Sequence, residues 1–487
     1  MSQLHADCLN EIFEYLDNNK NTLYSCLLVN HLWSAVSVRI LWRSIRNYRT
    51  LIICLPNKSK KILFENGISI LTSKPLLFNY VTFCKSVSFH EIDINIERLL
   101  KKQQSISIQS SKDNITQEIF RFLMSQIISL RKLIITEFTP ENKDMMISFR
   151  HMKPFRYGNT KVPPLKTPKF SPENIMKILT ELRDRMLNNL SEFYCYSDTY
   201  PEFFYRLSQI CHTIQTLKIS LTTDDISKEL IDLISVQKNL KNLYMLQLRY
   251  ELILNTNLSN LQELKLYCNN YDLWIFNYDL VFDRFKNSND RECYKKAFTN
   301  LNNYLSTNRL NEFLENNGRS LKKFHINKYG YERSICIYCK NIRILKTNLT
   351  NNELNVLRNF FKAFPFLESI RICYHDLKSN EKFLFEDVVK YSPKNFHKLK
   401  LYFYNENAKS SLVPEELELL LESWKSRVPQ KPLSLVITGY HTFIENDGNM
   451  KVIEKYTELG TIKLVNKPID NLYKYDSIAI DQLLNRH

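Results

Sequence analysis

Apolar and polar positions alternate in a six-residue pattern that recurs along most of the chain. Apolar residues take its first, fourth and sixth positions, as in LSEFYC from residue 190, IQTLKI from 214, LKNLYM from 240 and LQELKL from 261. The other occurrences, some of them variants, are KSVSFH from 85, LRKLII from 130, LKKFHI from 321, IRILKT from 342, LESIRI from 367, FHKLKL from 396, PLSLVI from 432 and GTIKLV from 460. Alternation with period 2 is typical of a short strand. The pattern therefore predicts a series of strands whose fourth and sixth residues face the core.

Segments with helical start signals precede most of these strands. Pro172 and Pro414 each stand at a predicted helix start, and Thr350 with Glu353 forms a capping box before LNVLRNFFKAF. One helix and one strand cannot cover their own apolar face, so successive pairs must stack and share a core. The sequence predicts an α/β solenoid, with a curved parallel sheet and outer helices.

The repeat resembles that of the leucine-rich-repeat family. The motifs from 190, 214, 240 and 261 start 24, 26 and 21 residues apart, within that family's period of about 20 to 29 residues. Asn269 falls where the family's asparagine ladder places an amide, whereas most other repeats carry another residue there. Two insertions interrupt the pattern, at 153–173, which holds five prolines, and at 268–320, where a helix is predicted to run into Asn317.

The first 48 residues have a different pattern, that of a small helical module. Leu9, Ile12, Phe13 and Leu16 have the spacing of an amphipathic helix. The turn DNNKN follows. After it, the sequence predicts a second helix that includes Trp33 and a third helix from Val36 to Trp42. Fewer than 50 residues cannot bury this much apolar surface alone, so part of it is expected to contact a partner or the repeats.

LHADCLNEIFEYL and LLVNHLWSAVSVRILWRSI resemble the opening and the close of an F-box, with His5 in place of the usual proline. The resemblance implies docking on a Skp-family adaptor and, through it, on a cullin-RING (SCF-type) ubiquitin ligase, with the repeats binding a protein substrate. The residues that match the motif, and so the implied adaptor-binding set, are Leu4, Leu9, Ile12, Phe13, Leu16, Val29 and Trp33. On this interpretation the chain divides into an F-box at 1–48, a connecting segment with a candidate first repeat at 49–110, the solenoid at 111–470 and a C-terminal tail or helix at 471–487.

The fifth position of each motif points away from the core, toward the concave face that such folds use for binding. Its occupants are Ile134, Tyr194, Lys218, Tyr244, Lys265, His325, Lys346, Arg371 and Lys400. Five are basic and none is acidic, so all of them except Ile134 are the predicted substrate-binding residues. Lys and Arg pair with carboxylate and phosphate, which favours an acidic or phosphorylated protein substrate. The alternative is a solvated sheet face in a chain that is rich in Lys and Tyr.

Composition limits the remaining function classes. Only seven glycines occur, none close enough to another to form a phosphate-binding loop or a nucleophile elbow. The CxxC of Cys336 and Cys339 lacks two further zinc ligands at matching spacing, and we expect a non-enzyme without metal or cofactor. No signal peptide or membrane span is predicted, so an intracellular protein, cytoplasmic or nuclear, is expected. Two alternatives stay open: a repeat scaffold without ligase coupling and, given the net charge of +16, a nucleic-acid-binding protein.

Overall fold

The structure is a computed structural model. The residues that it describes are 4–17, 19–45, 47–66, 68, 76–102, 108–135, 184–197, 201–221, 226–248, 256–268, 308–326, 331–348, 354–374, 378–379, 381–403, 409–410, 412–428, 431–439 and 446–467. These form two compact units, the first mainly Met1–Ser220 with Ser227–Gln237 and the second Leu221–Ile226 with Lys238–Arg486. The insertion at 153–173, Asn269, the Thr350–Glu353 capping box and the segment 471–487 lie outside the described residues.

The first unit contains ten described helices and four strands. The helices are α1 (Ala6–Glu14), α2 (Lys20–Cys26), α3 (His31–Leu41), α4 (Tyr48–Cys54), α5 (Asn57–Glu65), α6 (Phe89–Lys102), α7 (Ile108–Gln126), α8 (Asp184–Leu187), α9 (Pro201–Ile210) and α10 (Lys228–Ser235). The strands are β1 (Ser86–Ser88), β2 (Lys132–Ile134), β3 (Glu192–Tyr196) and β4 (Thr216–Ser220). They pair in parallel in chain order, as a series of helix–strand repeats requires.

The second unit repeats this arrangement with six described helices and a longer sheet. The helices are α11 (Asn308–Asn317), α12 (Glu332–Tyr338), α13 (Leu354–Ala363), α14 (Glu381–Tyr391), α15 (Pro414–Lys425) and α16 (Asp447–Glu458). The strands are β5 (Asn242–Leu248), β6 (Glu263–Cys268), β7 (Lys323–Ile326), β8 (Ile344–Asn348), β9 (Ser369–Tyr374), β10 (Lys378–Ser379), β11 (Lys398–Phe403), β12 (Lys409–Ser410), β13 (Leu433–Gly439) and β14 (Ile462–Lys467). All pair in parallel, with β10 and β12 forming a separate two-stranded sheet.

Each of the twelve sequence motifs contains a strand that pairs in parallel with its neighbours, so the predicted parallel repeat is confirmed. In the nine clearer motifs, those from 130 to 396, the fourth and sixth positions are buried as predicted; Leu264 and Leu266 of β6, for example, are fully buried. The variant from 460 differs, because its fourth residue, Lys463, is exposed. On this side the strands pack against the helices: the Phe193 ring of β3 lies 6.1 Å from the Phe203 ring of α9. Pro414 begins α15 and α11 ends at Asn317, also as predicted.

Buried amide side chains connect neighbouring repeats. In the first unit, Gln237 donates a hydrogen bond to the carbonyl of Cys211 (2.6 Å) and accepts one from the Ile214 amide (3.0 Å). In the second, Asn317 donates to the carbonyls of Thr256 and Phe313. Both amides are at most 1% exposed. Gln237 thus satisfies backbone groups of the segment before β4, and Asn317 satisfies the Thr256 carbonyl before β6 and the Phe313 carbonyl in the last turn of its own helix.

The three N-terminal helices surround a core of their own. Its buried members are Leu9, Phe13, Leu23, Cys26, Val36, Ile40 and Leu41. The Phe13 and Trp33 rings meet edge to face at 5.2 Å. The prediction that Trp33 belongs to the second helix is wrong. Asn30 accepts a hydrogen bond from the Trp33 amide and so caps the start of α3, which contains Trp33.

This helical head continues directly into the first repeat. The carbonyl of Arg43 accepts hydrogen bonds from the amides of Lys85 and Ser86 (2.8 and 2.9 Å), and Ser44 forms a parallel bridge with Ser86. The Trp42 ring packs on Tyr80 at 4.7 Å. Part of the apolar surface of the head is therefore covered by its own unit, which is one of the two outcomes that its composition predicts.

Candidate functional site

Strand register aligns the predicted fifth-position residues across each sheet. We call this row the central rung; in the first unit it consists of Ile134, Tyr194 and Lys218, each opposite the next. In the second unit the central rung consists of Tyr244, Lys265, His325, Lys346, Arg371 and Lys400. It ends in two apolar residues, Val436 and Val465. The structure thus brings together the predicted substrate-binding residues of each unit.

The central rung is less exposed than the sequence predicts. Tyr194, Lys218, Tyr244 and His325 are at most 7% exposed, and Lys265, Lys346, Arg371 and Lys400 are half-buried. The cause is lateral packing: parallel strands lie about 4.8 Å apart, so long side chains on adjacent strands cover one another. The row is therefore packed between adjacent strands and is not freely solvated.

In the first unit, Tyr194 lies between two lysines. The ammonium nitrogen of Lys218 is 4.0 Å from the centre of its ring and that of Lys132 is 4.8 Å away, both within the range of a cation–π interaction. The Tyr194 hydroxyl donates to Glu192 (2.9 Å), and this carboxylate also pairs with Lys132 (3.2 Å). On this part of the rung, one carboxylate, Glu192, thus contacts both the Tyr194 hydroxyl and Lys132.

The start of the second rung has the same design. Lys265 lies over the Tyr244 ring at 4.2 Å, the Tyr244 hydroxyl donates to Glu263 (2.9 Å), and Lys265 pairs with Glu263 (2.9 Å). The sequence-based prediction missed Glu192 and Glu263 because it did not consider the third position of the motif. They occupy the third position of their motifs, and side chains two residues apart share a sheet face.

Four successive strands, β7, β8, β9 and β11, then carry the basic part of the rung: His325, Lys346, Arg371 and Lys400. The row two residues earlier on the same face consists of Lys323, Ile344, Ser369 and Lys398. Neither row contains Asp or Glu across these strands. We call these two rows the basic face.

Aromatic rings support the cations of the basic face. The guanidinium carbon of Arg371 is 3.6 Å from the centre of the Tyr402 ring, and the Lys346 nitrogen is 5.7 Å from that of Tyr267. A cation that rests on an aromatic ring keeps its charge, and its side chain is already ordered. It therefore loses little conformational entropy when it contacts a ligand. The arrangement thus presents ordered positive charge.

His325 is the first residue of this basic part and lies between Lys265 and Lys346 on the adjacent strands. Its ring meets the edge of Tyr267 at 4.4 Å, and its Nε2 has no hydrogen-bond partner among the described residues. Burial, and then the charges of Lys346, Arg371 and Lys265, hold the pKa of His325 well below its usual value. At neutral pH the imidazole is therefore uncharged.

Of the cysteines that might suggest chemistry, Cys211 and Cys339 are buried and Cys336 is half-buried. Burial raises the pKa of Cys336 to about 11 and of Cys339 to about 12, and it also raises the pKa of the Cys211 thiol. Thiols in this state are poor nucleophiles. Within the described ranges, no group of three His, Cys, Asp or Glu side chains is placed to hold a metal ion.

The structure separates the seven residues of the predicted adaptor-binding set. Leu9 and Phe13 are 2% exposed and belong to the core of the head, and Leu16 and Trp33 pack against that core. Leu4, Ile12 and Val29 are 50%, 49% and 56% exposed. The sequence did not single out three further exposed apolar side chains of the head, Tyr15, Tyr24 and Leu28.

Comparisons with known proteins add little to this description. No family model matches the chain, so the F-box resemblance has no support there. No curated protein matches it either. One similar solved structure is the leucine-rich repeat-containing protein LegL7 from Legionella pneumophila, with 12% identity and a TM-score of 0.32 over 61% of this chain and 80% of that one. None of the described helices combines the length and apolarity that crossing a membrane requires.

Proposed function

We propose that this chain is a non-catalytic protein-interaction receptor whose basic face binds an acidic or phosphorylated segment of another protein. The observation that carries the proposal is the alignment of His325, Lys346, Arg371 and Lys400 on adjacent strands, with no acidic residue in either row of that face. Carboxylate and phosphate are the groups that Lys and Arg bind most strongly.

The spacing of the cations sets the size of the bound segment. Lys346, Arg371 and Lys400 occupy three neighbouring strands, which span about 10 Å at about 4.8 Å per strand. An extended peptide rises about 3.3 Å per residue. A segment of three or four residues with two or more negative charges therefore matches the row.

The test compares a phosphoserine peptide flanked by glutamates with its unphosphorylated form. Replacing Lys346, Arg371 and Lys400 with Gln is expected to weaken binding of the phosphorylated peptide at least about tenfold, because charge-assisted hydrogen bonds are lost. The matched control replaces three exposed lysines away from the basic face, Lys362, Lys394 and Lys451, and keeps the affinity. Equal weakening by both triple variants, or tighter and steeply salt-dependent binding of generic nucleic acid, contradicts the proposal.

A finer proposal concerns the head: it docks on a Skp-family adaptor, and the receptor thereby brings its bound protein to a cullin-RING ligase. The F-box resemblance and the exposed Leu4, Ile12 and Val29 support this proposal. Such a receptor needs no catalytic residues of its own. It holds the target protein beside an enzyme that carries ubiquitin, and this raises the effective concentration of the target at that enzyme. The scaffold without ligase coupling is the remaining alternative, and adaptor binding by the purified chain distinguishes them.

A further inference from the structure

A cavity of about 390 Å³ opens at the edge of the second unit where strands β6, β7 and β8 begin. Three cationic side chains line it, those of Arg319, Lys322 and Arg343, and the ring of Phe366 forms part of its wall. Its volume falls in the range of small-molecule sites, about 300 to 1,000 Å³. None of the residues that line the cavity belongs to the basic face, so the ligand of the cavity is considered separately.

Repeat geometry places the cations side by side. Lys322 and Arg343 immediately precede β7 and β8; the Lys322 amide donates to the Gln262 carbonyl (2.8 Å) and the Arg343 amide to the Lys322 carbonyl (2.7 Å). Neighbouring strands thus bring the two side chains to the same edge. The adjoining turn is fixed as well, because Asn341 donates to the carbonyl of Arg319 (2.7 Å).

The charge balance of the cavity favours a doubly negative ligand. Of the described carboxylates, only Glu368 pairs with one of the three cations, Arg343, at 3.0 Å. Three positive groups and one negative group leave a net charge of about +2, close to the charge of −1.5 to −2 that a phosphate monoester carries at neutral pH. Arg presents a planar fork of donors and Lys a mobile point charge, a combination suited to several phosphate oxygens.

Phe366 adds an aromatic requirement. Its side chain is 47% exposed, so one side of the ring is available to a ligand. The comparable cavity of the first unit, lined by Lys85 and Arg131 at the starts of β1 and β2, has hydroxyl and amide side chains around it and no aromatic ring. We propose that the second-unit cavity binds a phosphate monoester that carries an aromatic ring, with the phosphate on Arg319 and Lys322 and the ring on Phe366.

Calorimetric titration of the full chain with phenyl phosphate and with inorganic phosphate tests this site. Phenyl phosphate is expected to bind several-fold more tightly, since aromatic pairs add to affinity beyond area burial. The double variant Arg319→Gln, Lys322→Gln is expected to bind phenyl phosphate at least about tenfold more weakly. Phe366→Ala is expected to bind phenyl phosphate no more tightly than inorganic phosphate. Lys451→Gln, an exposed substitution on α16, serves as the matched control and leaves both affinities unchanged.

Two sources of this ligand chemistry are a phosphotyrosine side chain and a nucleoside monophosphate. Titration with N-acetylphosphotyrosine amide and with adenosine monophosphate separates them, and the tighter ligand identifies the source. The proposal is overturned if phenyl phosphate gives no saturable binding, if the Arg319 and Lys322 double variant binds it as the unmodified chain does, or if Lys451→Gln weakens it equally. Because the cavity does not include the basic face, a negative result here leaves the receptor proposal intact.

Discussion

His325 is a buried imidazole surrounded by positive charge, and this has a consequence for stability. Its pKa in the folded chain is well below the ordinary value of 6.5, whereas the unfolded chain takes up a proton near 6.5. Between these two pKa values the unfolded state binds more protons than the folded state. Stability from this group is therefore complete above about pH 6.5 and falls as the pH drops below it.

Replacing His325 with Asn is expected to reduce the pH dependence of thermal unfolding between pH 6.5 and 5. One proton changes the free energy of unfolding by up to about 1.4 kcal/mol per pH unit. The variant lacks this contribution to the slope, even if it is less stable than the unmodified chain at every pH. The exposed His212, changed to Asn in the same way, is the control. Identical slopes for the unmodified chain and His325→Asn would show that the imidazole does not titrate as described.

Leu9 and Ile12 distinguish core from docking surface in the head. Leu9 is buried and Ile12 half exposed on the same helix, α1. Leu9→Asp places a charge in an apolar core and is expected to lower the melting temperature of the first unit by several degrees. Ile12→Asp is expected to leave melting nearly unchanged and to abolish adaptor binding in a pull-down. Adaptor retention by a folded Ile12→Asp variant would count against docking through this surface.

At the scale of elements, the buried amides are expected to set the stability of their repeats. Gln237→Leu orphans the Cys211 carbonyl and the Ile214 amide, and each unsatisfied buried group costs about 1–3 kcal/mol. We therefore expect a clear loss of stability in the first unit, measured by hydrogen exchange at β3 and β4. Gln209→Leu, an exposed substitution on α9, is the control; similar protection in both variants would mean that water replaces the lost bonds.

The strands were predictable because their signal is local. Alternation over six residues places Leu264 and Leu266 on the buried side and Lys265 on the other without knowledge of any neighbour. Register was predictable too, because identical motifs stacked in parallel align position by position. Burial of Lys218 and His325 was not, since it depends on which side chains lie on adjacent strands.

Contacts between residues that are far apart in the sequence could not be predicted from the repeat pattern either. The contacts of Gln237 and Asn317 follow from irregular turns that have no periodicity, and so do the residues around the Phe366 cavity. In the head, periodicity alone placed Trp33 in the second helix, although the Asn30 cap starts α3 before it. A closer look for Asn, Ser and Asp caps would have corrected that boundary.

At the scale of the whole molecule, the receptor proposal needs two surfaces with different chemistry. The head presents exposed apolar side chains in the first unit, whereas the basic face in the second unit presents ordered cations on aromatic rings. Apolar docking and charge recognition respond differently to substitution and to salt. Variants of the two surfaces should therefore lose different partners.

The most direct test of the central claim is affinity purification with quantitative mass spectrometry. It compares the unmodified chain with Ile12→Asp and with the triple variant in which Gln replaces Lys346, Arg371 and Lys400. We predict that the triple variant loses proteins with acidic or phosphorylated segments and keeps the adaptor, while Ile12→Asp loses the adaptor and keeps those proteins. Loss of one common set in both variants, or no change in either, would contradict a receptor with two separate binding surfaces.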